Sequence, residues 1–282
     1  MSRVTAANAP TSQNLIPIRL IGTRNRMTAW ENRRIGTLVF IPAWNEAESV
    51  ASVIDGVRER LPDVDVLVVD DGSTDETAAR AAAAGAAVAS LPFNQGLGAA
   101  LQTGYLYALR EGYDFCAHLD ADGQHPPAEV ARLLEQVRAD RADLVIGSRF
   151  HDDGERTGDA EEIDGEDYRA TISRRIGISV FRFFLTLATR QRFTDTTSGM
   201  RAANRRVMEL FSENYSPDFA EIESLQLAVR EGLRVEEVPV RMLERAGGSS
   251  FLTPLRSSFF IFKGLIVLLV GQFRPRNAGA SR

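Results

Sequence analysis

The chain has 282 residues, 44% of them hydrophobic and 25% charged, with a formal net charge of −5 and a single cysteine, Cys116. This composition excludes a wholly disordered chain, a collagen-like repeat and a polytopic membrane protein. One cysteine excludes an internal disulfide and a zinc site built from several thiolates, and the negative balance excludes a nucleic-acid-binding polyelectrolyte.

Residues 1–34 hold six arginines and no sustained apolar core, so they read as a flexible leader without a signal peptide. Thr37 to Ile41 is a short apolar run ended by Pro42, a buried strand. Asn45 with Glu48 has capping-box spacing and predicts a helix from Glu46 to Arg60. Val64 to Val69 is a second strand. Ser73 with Glu76 repeats the capping box and opens an alanine-rich helix to Ala84. Ala86 to Leu91 is a third strand, Gly98 to Glu111 a helix, Phe115 to Leu119 a fourth strand, Pro126 to Ala139 a helix and Leu144 to Gly147 a fifth strand. Strands alternating with helices of this length predict an α/β fold, a mostly parallel Rossmann-like sheet with helices on both faces.

Charge is unevenly spread beyond that point. Asp152 to Asp167 holds nine carboxylates and one arginine, an acidic loop within residues 151–168. Arg169 to Arg192 holds six arginines and no acid, and Pro254 to Arg282 again has basic residues and no acid. Both basic stretches are also rich in large apolar residues, which points to an anionic surface or ligand. Ile176 to Thr189 reads as an interfacial helix carrying Arg182 beside Phe181, Phe184, Leu185 and Leu187. Phe259 to Phe273 is too short for a membrane span, which needs about 20 apolar residues, and reads as a surface-lying amphipathic anchor or a packed terminal helix.

In parallel sheets of this kind, ligands sit at the carboxyl ends of the strands. Those ends carry Pro42-Ala-Trp-Asn-Glu46, Asp70-Asp-Gly-Ser-Thr-Asp75, Asp120-Ala-Asp-Gly-Gln124 and Gly147-Ser-Arg149. Asp120 and Asp122 point to opposite faces if extended, but if the strand ends at Gly123 both can turn toward one cation. Hard carboxylate oxygens suit Mg²⁺ or Mn²⁺. Asp70 reads as a turn residue and Asp71 as the carboxylate that faces the cleft. His118, His125 and His151 lack zinc spacing and read as structural or exposed.

Taken together, these motifs, with Asn94-Gln-Gly-Leu-Gly98, resemble the family 2 glycosyltransferases of GT-A fold, over roughly residues 36–250. Ile172-Ser-Arg-Arg-Ile176, Asp195-Thr-Thr-Ser-Gly-Met-Arg201, Phe219-Ala-Glu-Ile-Glu223 and Arg245-Ala-Gly-Gly-Ser-Ser250 narrow the resemblance. They are similar to the dolichol-phosphate mannose synthases and bacterial polyprenyl-phosphate glycosyltransferases. The resemblance implies a GT-A domain over 35–250 and a membrane-proximal segment over 251–282. It implies that Pro42, Trp44, Glu46 and Asp71 line the nucleotide pocket, and that Asp120, Asp122 and Gln124 hold a metal and the sugar diphosphate. Arg149 with Arg174 or Arg175 would grip the acceptor phosphate, and Arg245 and Ser250 would close on the donor. Two departures stand out: Phe251 replaces the lysine usual after Arg245, and the acidic loop replaces a shorter one.

The implied reaction moves a sugar from GDP-mannose or a UDP-sugar to a polyprenyl phosphate with inversion. A hydroxyl acceptor needs a general base, whereas a phosphate monoester, with its second pKa near 6, is already ionised at neutral pH. Abundant arginines, whose forks suit phosphate, favour the lipid phosphate. A sugar hydroxyl of a polysaccharide or glycolipid is the alternative acceptor, and a non-catalytic nucleotide-sugar binding module the alternative class. The expected setting is the cytoplasmic face of a membrane. With no further transmembrane helices in the sequence, a separate membrane-anchor protein is an expected partner.

Overall fold

The computed structural model describes residues 19–21, 36–150, 172–216 and 220–243. Eight strands form one sheet in the order β1-β4-β3-β2-β5-β7-β6-β8 among these residues. They are β1 (Arg19–Ile21), β2 (Thr37–Ala43), β3 (Asp65–Asp70), β4 (Ala87–Ser90), β5 (Phe115–His118), β6 (Leu144–Ser148), β7 (Arg201–Asn204) and β8 (Val235–Pro239). Pairings β2–β3, β2–β5, β3–β4 and β6–β8 are parallel. β1 runs antiparallel to β4, and β7 antiparallel to both β5 and β6. The sheet is the expected mostly parallel one, and the fold is of GT-A type.

Among the described residues seven helices accompany it: α1 (Val50–Arg60), α2 (Thr77–Ala83), α3 (Leu97–Arg110), α4 (Pro127–Arg138), α5 (Ile172–Thr189), α6 (Arg205–Glu213) and α7 (Ala220–Arg230). The central strands are buried on both faces, so their alternation sorts two cores. Leu38 and Phe40 of β2 and Leu67 and Val69 of β3 pack with Leu101, Tyr105, Val207 and Phe211 from α3 and α6. Val39, Ile41, Val66 and Val68 pack with Ile54, Val57, Val130 and Leu133 from α1 and α4.

Several expectations shift. β2 does not stop before Pro42 but continues to Ala43, with Pro42 opposite Val69. Proline is tolerated because β5 has already ended opposite Phe40, so residue 42 has no ladder bond to lose on that side. Neither capping box forms. α1 starts at Val50 and α2 at Thr77, and neither N-cap side chain bonds its helix. The capping-type residues instead bond between loops. Residues 19–21, inside the segment read as a leader, supply edge strand β1. β7, α6, α7 and β8 have no counterpart among the elements that local pattern predicts. The acidic loop and the 251–282 segment lie outside the described residues, as does His151. His118 and His125 are buried, in keeping with structural roles.

At the opposite edge of the sheet from the strand carboxyl ends, Asp143 clips three elements together. It accepts from Arg234 N–H at 2.8 Å and from Asn204 Nδ2 at 2.7 Å, and pairs with Arg206. Burial alone raises this carboxyl, but the bonds from Arg234 and Asn204 and the charge of Arg206 outweigh it and bring the pKa to about 2. A depressed carboxylate stabilises the fold above its unfolded pKa of about 3.9 and loses that contribution as pH falls through the folded value. The two values bracket a contribution on the order of 2 kcal/mol. Urea unfolding should therefore show stability falling between about pH 4 and pH 2, and Asp143→Asn should flatten that decline. An unchanged slope in the variant would assign the acid sensitivity elsewhere.

Candidate active site

The loops after β2 and β3 are laced together by side chains that include two suggested as helix caps, Asn45 and Ser73, with Asp75 and Thr77. Asn45 N–H donates to Ser73 Oγ and Glu46 N–H to Thr77 Oγ1, each at 2.9 Å, and Ala47 N–H donates to Asp75 Oδ2 at 3.2 Å. In return Thr74 N–H donates to Asn45 Oδ1 at 2.9 Å. Asn45 has φ 55°, a left-handed conformation that asparagine tolerates better than most residues. This lacing fixes Trp44 at the strand end with 46% of its surface exposed. Glu46 accepts from Ser49 Oγ at 3.0 Å. Pro42 is buried within the strand.

Asp70 accepts from Ser73 N–H at 3.0 Å, which closes the turn. Asp71 is buried, and its two oxygens accept from Gln95 N–H at 2.7 Å and Gly96 N–H at 2.8 Å. Burial raises its pKa, the two backbone bonds offset part of that, and Asp70 adds repulsion; the net direction is upward. Asp71 therefore holds the β4–α3 loop, and any contact with base or ribose shares a carboxylate that already accepts two N–H groups. Gly72, at φ 66°, lies so close to this loop that a Cβ would sit 2.4 Å from the Phe93 carbonyl carbon.

The loop after β5 holds the two aspartates expected to carry a cation. Gly123, at φ 79°, supplies the chain reversal that the sequence reading required. Asp122 is buried and accepts from Gln124 N–H at 3.0 Å. Asp120 keeps 38% side-chain exposure. Its N–H donates to Nδ1 of buried His125 at 3.0 Å, so the ring proton sits on Nε2. Burial lowers the His125 pKa to about 4, against the attraction of Asp122. Gln124 Nε2 donates to the Leu243 carbonyl at 3.2 Å, and Leu243 N–H donates to Gln124 O at 2.9 Å. The Gln124 side chain is thus tied through its amide nitrogen to the exit of β8. Two hard carboxylates on one turn fit Mg²⁺ or Mn²⁺, which take most remaining ligands from water and phosphate.

Arg149 is deeply engaged. Its Nε donates to Asp195 Oδ2 at 2.6 Å and its Nη2 to Asp195 Oδ1 at 2.8 Å and to Thr197 Oγ1 at 2.9 Å. Asp195 is fully buried. The fork expected to grip an acceptor phosphate therefore holds the 194–201 segment. Glu237 of β8 fixes the start of the same segment, accepting from Thr194 N–H at 2.7 Å and Asp195 N–H at 2.8 Å. Further along, Gly199 abuts the site: a Cβ there would lie 2.7 Å from Asp120 Oδ2. Arg174 and Arg175 belong to the start of α5, with side chains outside the described residues; Arg245, Ser250 and Phe251 lie wholly outside them.

Sequence reasoning quoted but assigned no role to Asp195, Gly199, Arg201 and Glu221, and it missed Glu237. Glu221, in the first turn of α7, belongs to the site electrostatically. Burial raises its pKa, with Arg201 and Arg149 opposing that rise and Asp120 adding to it. The signal that could have found Asp195, Gly199 and Arg201 was the density of small and polar residues from Thr194 to Arg201; Glu221 and Glu237 sit within a helix and a strand and stand out by no such pattern. On α5, Leu185 enters the core while Phe183 and Leu187 are 65% and 67% exposed, four residues apart on one outer face. No helix among the described residues is long and apolar enough to cross a membrane.

Comparison with known proteins shows the family and the fold. The family model described as Glycosyl transferase family 2 matches residues 38–211. A polyprenol monophosphomannose synthase of Mycolicibacterium smegmatis is 35% identical over 223 residues, 76% of this chain and 80% of the relative. An undecaprenyl-phosphate mannosyltransferase of Micrococcus luteus is 35% identical over 221 residues, 76% of this chain and 86% of the relative. Among solved structures, glucosyl-3-phosphoglycerate synthase of Mycobacterium tuberculosis, in complex with Mn²⁺, UDP and phosphoglyceric acid, superposes with a TM-score of 0.60. That structure is 25% identical, with 86% of this chain and 80% of the other covered.

Proposed function

The chain belongs to glycosyl transferase family 2 and is a glycosyltransferase, and from that premise we propose that it transfers a sugar from a nucleotide-sugar to a polyprenyl phosphate with inversion. The observation that carries the reading is the Asp120–Asp122 turn at the end of β5, beside the laced loops of β2 and β3. Trp44 offers its exposed ring to the base, guanine or uracil alike. Pro42, Glu46 and Asp71 shape and hold the nucleotide side. Asp120, Asp122 and the Gln124 amide oxygen would hold Mg²⁺ or Mn²⁺, which when bound stabilises the charge that develops on the leaving diphosphate.

In the transfer, the bond from the anomeric carbon to the diphosphate oxygen breaks as a phosphate oxygen of the acceptor attacks from the opposite face. The nucleoside diphosphate leaves with the bonding electrons, and the product is a glycosyl phospholipid. An ionised phosphate needs orientation and charge screening, which Arg174, Arg175 and the Arg149 neighbourhood supply on this reading; Arg245 and Ser250 would close on the donor. Both named bacterial relatives act, by name, on polyprenyl substrates. The outward Phe183 and Leu187 of α5 suit an enzyme working at the cytoplasmic membrane surface, with a separate anchor protein as a further partner. Offering isolated polyprenyl phosphate, Mn²⁺ and radiolabelled GDP-mannose or UDP-sugars should give a lipid-linked product. No such product with any common donor would overturn the proposal.

Glu221 favours a second reading, in which the acceptor is a sugar hydroxyl and this carboxyl is its base. The two readings separate on Glu221→Gln. With a phosphate acceptor the variant should keep its rate on polyprenyl phosphate within a few-fold. Loss of a working general base costs about 10²–10⁴-fold, and a drop of that size would favour the hydroxyl reading.

A further inference from the structure

Arg201 is the largest fully buried side chain in the described fold, and it lies directly behind the rim just described. It sits in β7 opposite His118, two residues before Asp120 on β5. Its Nε donates to the Ser198 carbonyl at 3.1 Å, its Nη1 to Ser224 Oγ at 2.7 Å and its Nη2 to the Glu221 carbonyl at 2.9 Å. None of these three acceptors is a carboxylate. Burying a guanidinium is costly unless its donors are well used, and here they serve to join two pieces of main chain. One is the Ser198–Gly199 turn, placed so that a Cβ on Gly199 would lie 2.7 Å from Asp120 Oδ2. The other is the first turn of α7, where Ser224 Oγ also donates to the Glu221 carbonyl at 2.9 Å.

We propose that Arg201 is a positioning residue for the cation site: by holding the Ser198 carbonyl it sets Gly199 against Asp120, and so fixes the direction of that carboxylate. The inference rests on the reading of Asp120 and Asp122 as cation ligands. The segment between Thr194 and Arg201 is clamped at its start by Glu237, in its middle by the Arg149–Asp195 pair and at its end by Arg201. The first two clamps act on residues 194–197. Arg201 alone of the three reaches the carbonyl adjoining Gly199. A lysine, with one nitrogen in place of a planar fork, cannot serve three acceptors spread over two segments in the same way.

The test is Mn²⁺ binding by electron paramagnetic resonance, alongside the Mn²⁺ concentration for half-maximal transfer and circular dichroism, on wild type, Arg201→Lys and Ser224→Ala. Groups that orient metal ligands are worth about 10–100-fold in metal affinity. A folded Arg201→Lys should lose Mn²⁺ affinity in that range, with the activation constant rising in parallel. Ser224→Ala, which removes one anchor, should weaken Mn²⁺ a few-fold. Wild-type Mn²⁺ affinity in folded Arg201→Lys overturns the inference. If Arg201→Lys does not fold, unchanged Mn²⁺ affinity in Ser224→Ala overturns it. If wild type itself binds no Mn²⁺, the cation reading of Asp120 and Asp122 fails and this inference falls with it; wild-type binding with unaltered variants sinks the inference alone.

Discussion

Asp122→Asn is expected to lower turnover by about two to three orders of magnitude and leave the fold intact. The amide keeps the oxygen that accepts from Gln124 N–H at 3.0 Å, so the turn around Gly123 retains its bond. What is lost is a negative charge and a hard ligand. A bound cation is worth several kcal/mol to a developing diphosphate charge. Weakening it by about 3–4 kcal/mol corresponds to the rate loss expected, at roughly 1.4 kcal/mol per tenfold. Initial rates at saturating Mn²⁺, with circular dichroism as the check on folding, measure this. Full activity in the variant would show the carboxylate to be idle and would move the chain toward a nucleotide-sugar binding role.

Gly199→Ala should lower kcat by about a hundredfold while shifting the melting temperature little. Gly199 is not in the left-handed region, so alanine brings no backbone strain. The added methyl would lie 2.7 Å and 2.8 Å from the two Asp120 carboxylate oxygens, closer than such contacts tolerate. Something must move. The glycine lies on a segment held by Glu237, Asp195 and Arg201, whereas the Asp120 side chain, 3.6 Å from His125 Nε2, is partly exposed and is the group expected to shift. A misplacement of about 1 Å in catalytic machinery can cost on the order of 10²-fold. Steady-state kinetics across Mn²⁺ concentrations test this: wild-type kcat with an unchanged Mn²⁺ requirement would mean that the Asp120 direction is immaterial.

Some of this was legible from local pattern alone. The apolar runs that became β2, β3 and β6 could be read because strands buried on both faces favour near-continuous Val, Ile and Leu, while β4 (Ala-Val-Ala-Ser) and β5 (Phe-Cys-Ala-His) were legible from their place between helices. The helices α3 and α4 followed from spacing. The rim motifs could be read because parallel strands all deliver their carboxyl ends to one side. β7 was not legible: Arg201-Ala-Ala-Asn204 carries no β-branched or aromatic residue. It becomes a strand because β5 and β6 leave a gap that small residues fill, a tertiary override of propensity. The spacing of Asn45 and Ser73 fits the helix-cap rule. In the fold each finds a partner on the neighbouring loop, a choice no local window contains.

The amino-acid order by itself determined the alternation of strands and helices, the single thiol, and the cluster of aspartates at strand ends, because these depend on near neighbours and on burial pattern. The tertiary structure decided what each charge does. It paired Arg149 with Asp195, turned both Asp71 oxygens onto the Gln95–Gly96 main chain, and set Gly199 against Asp120. Such partners are brought together only when the sheet closes, and a buried charge is satisfied by whichever polar group the packing places beside it.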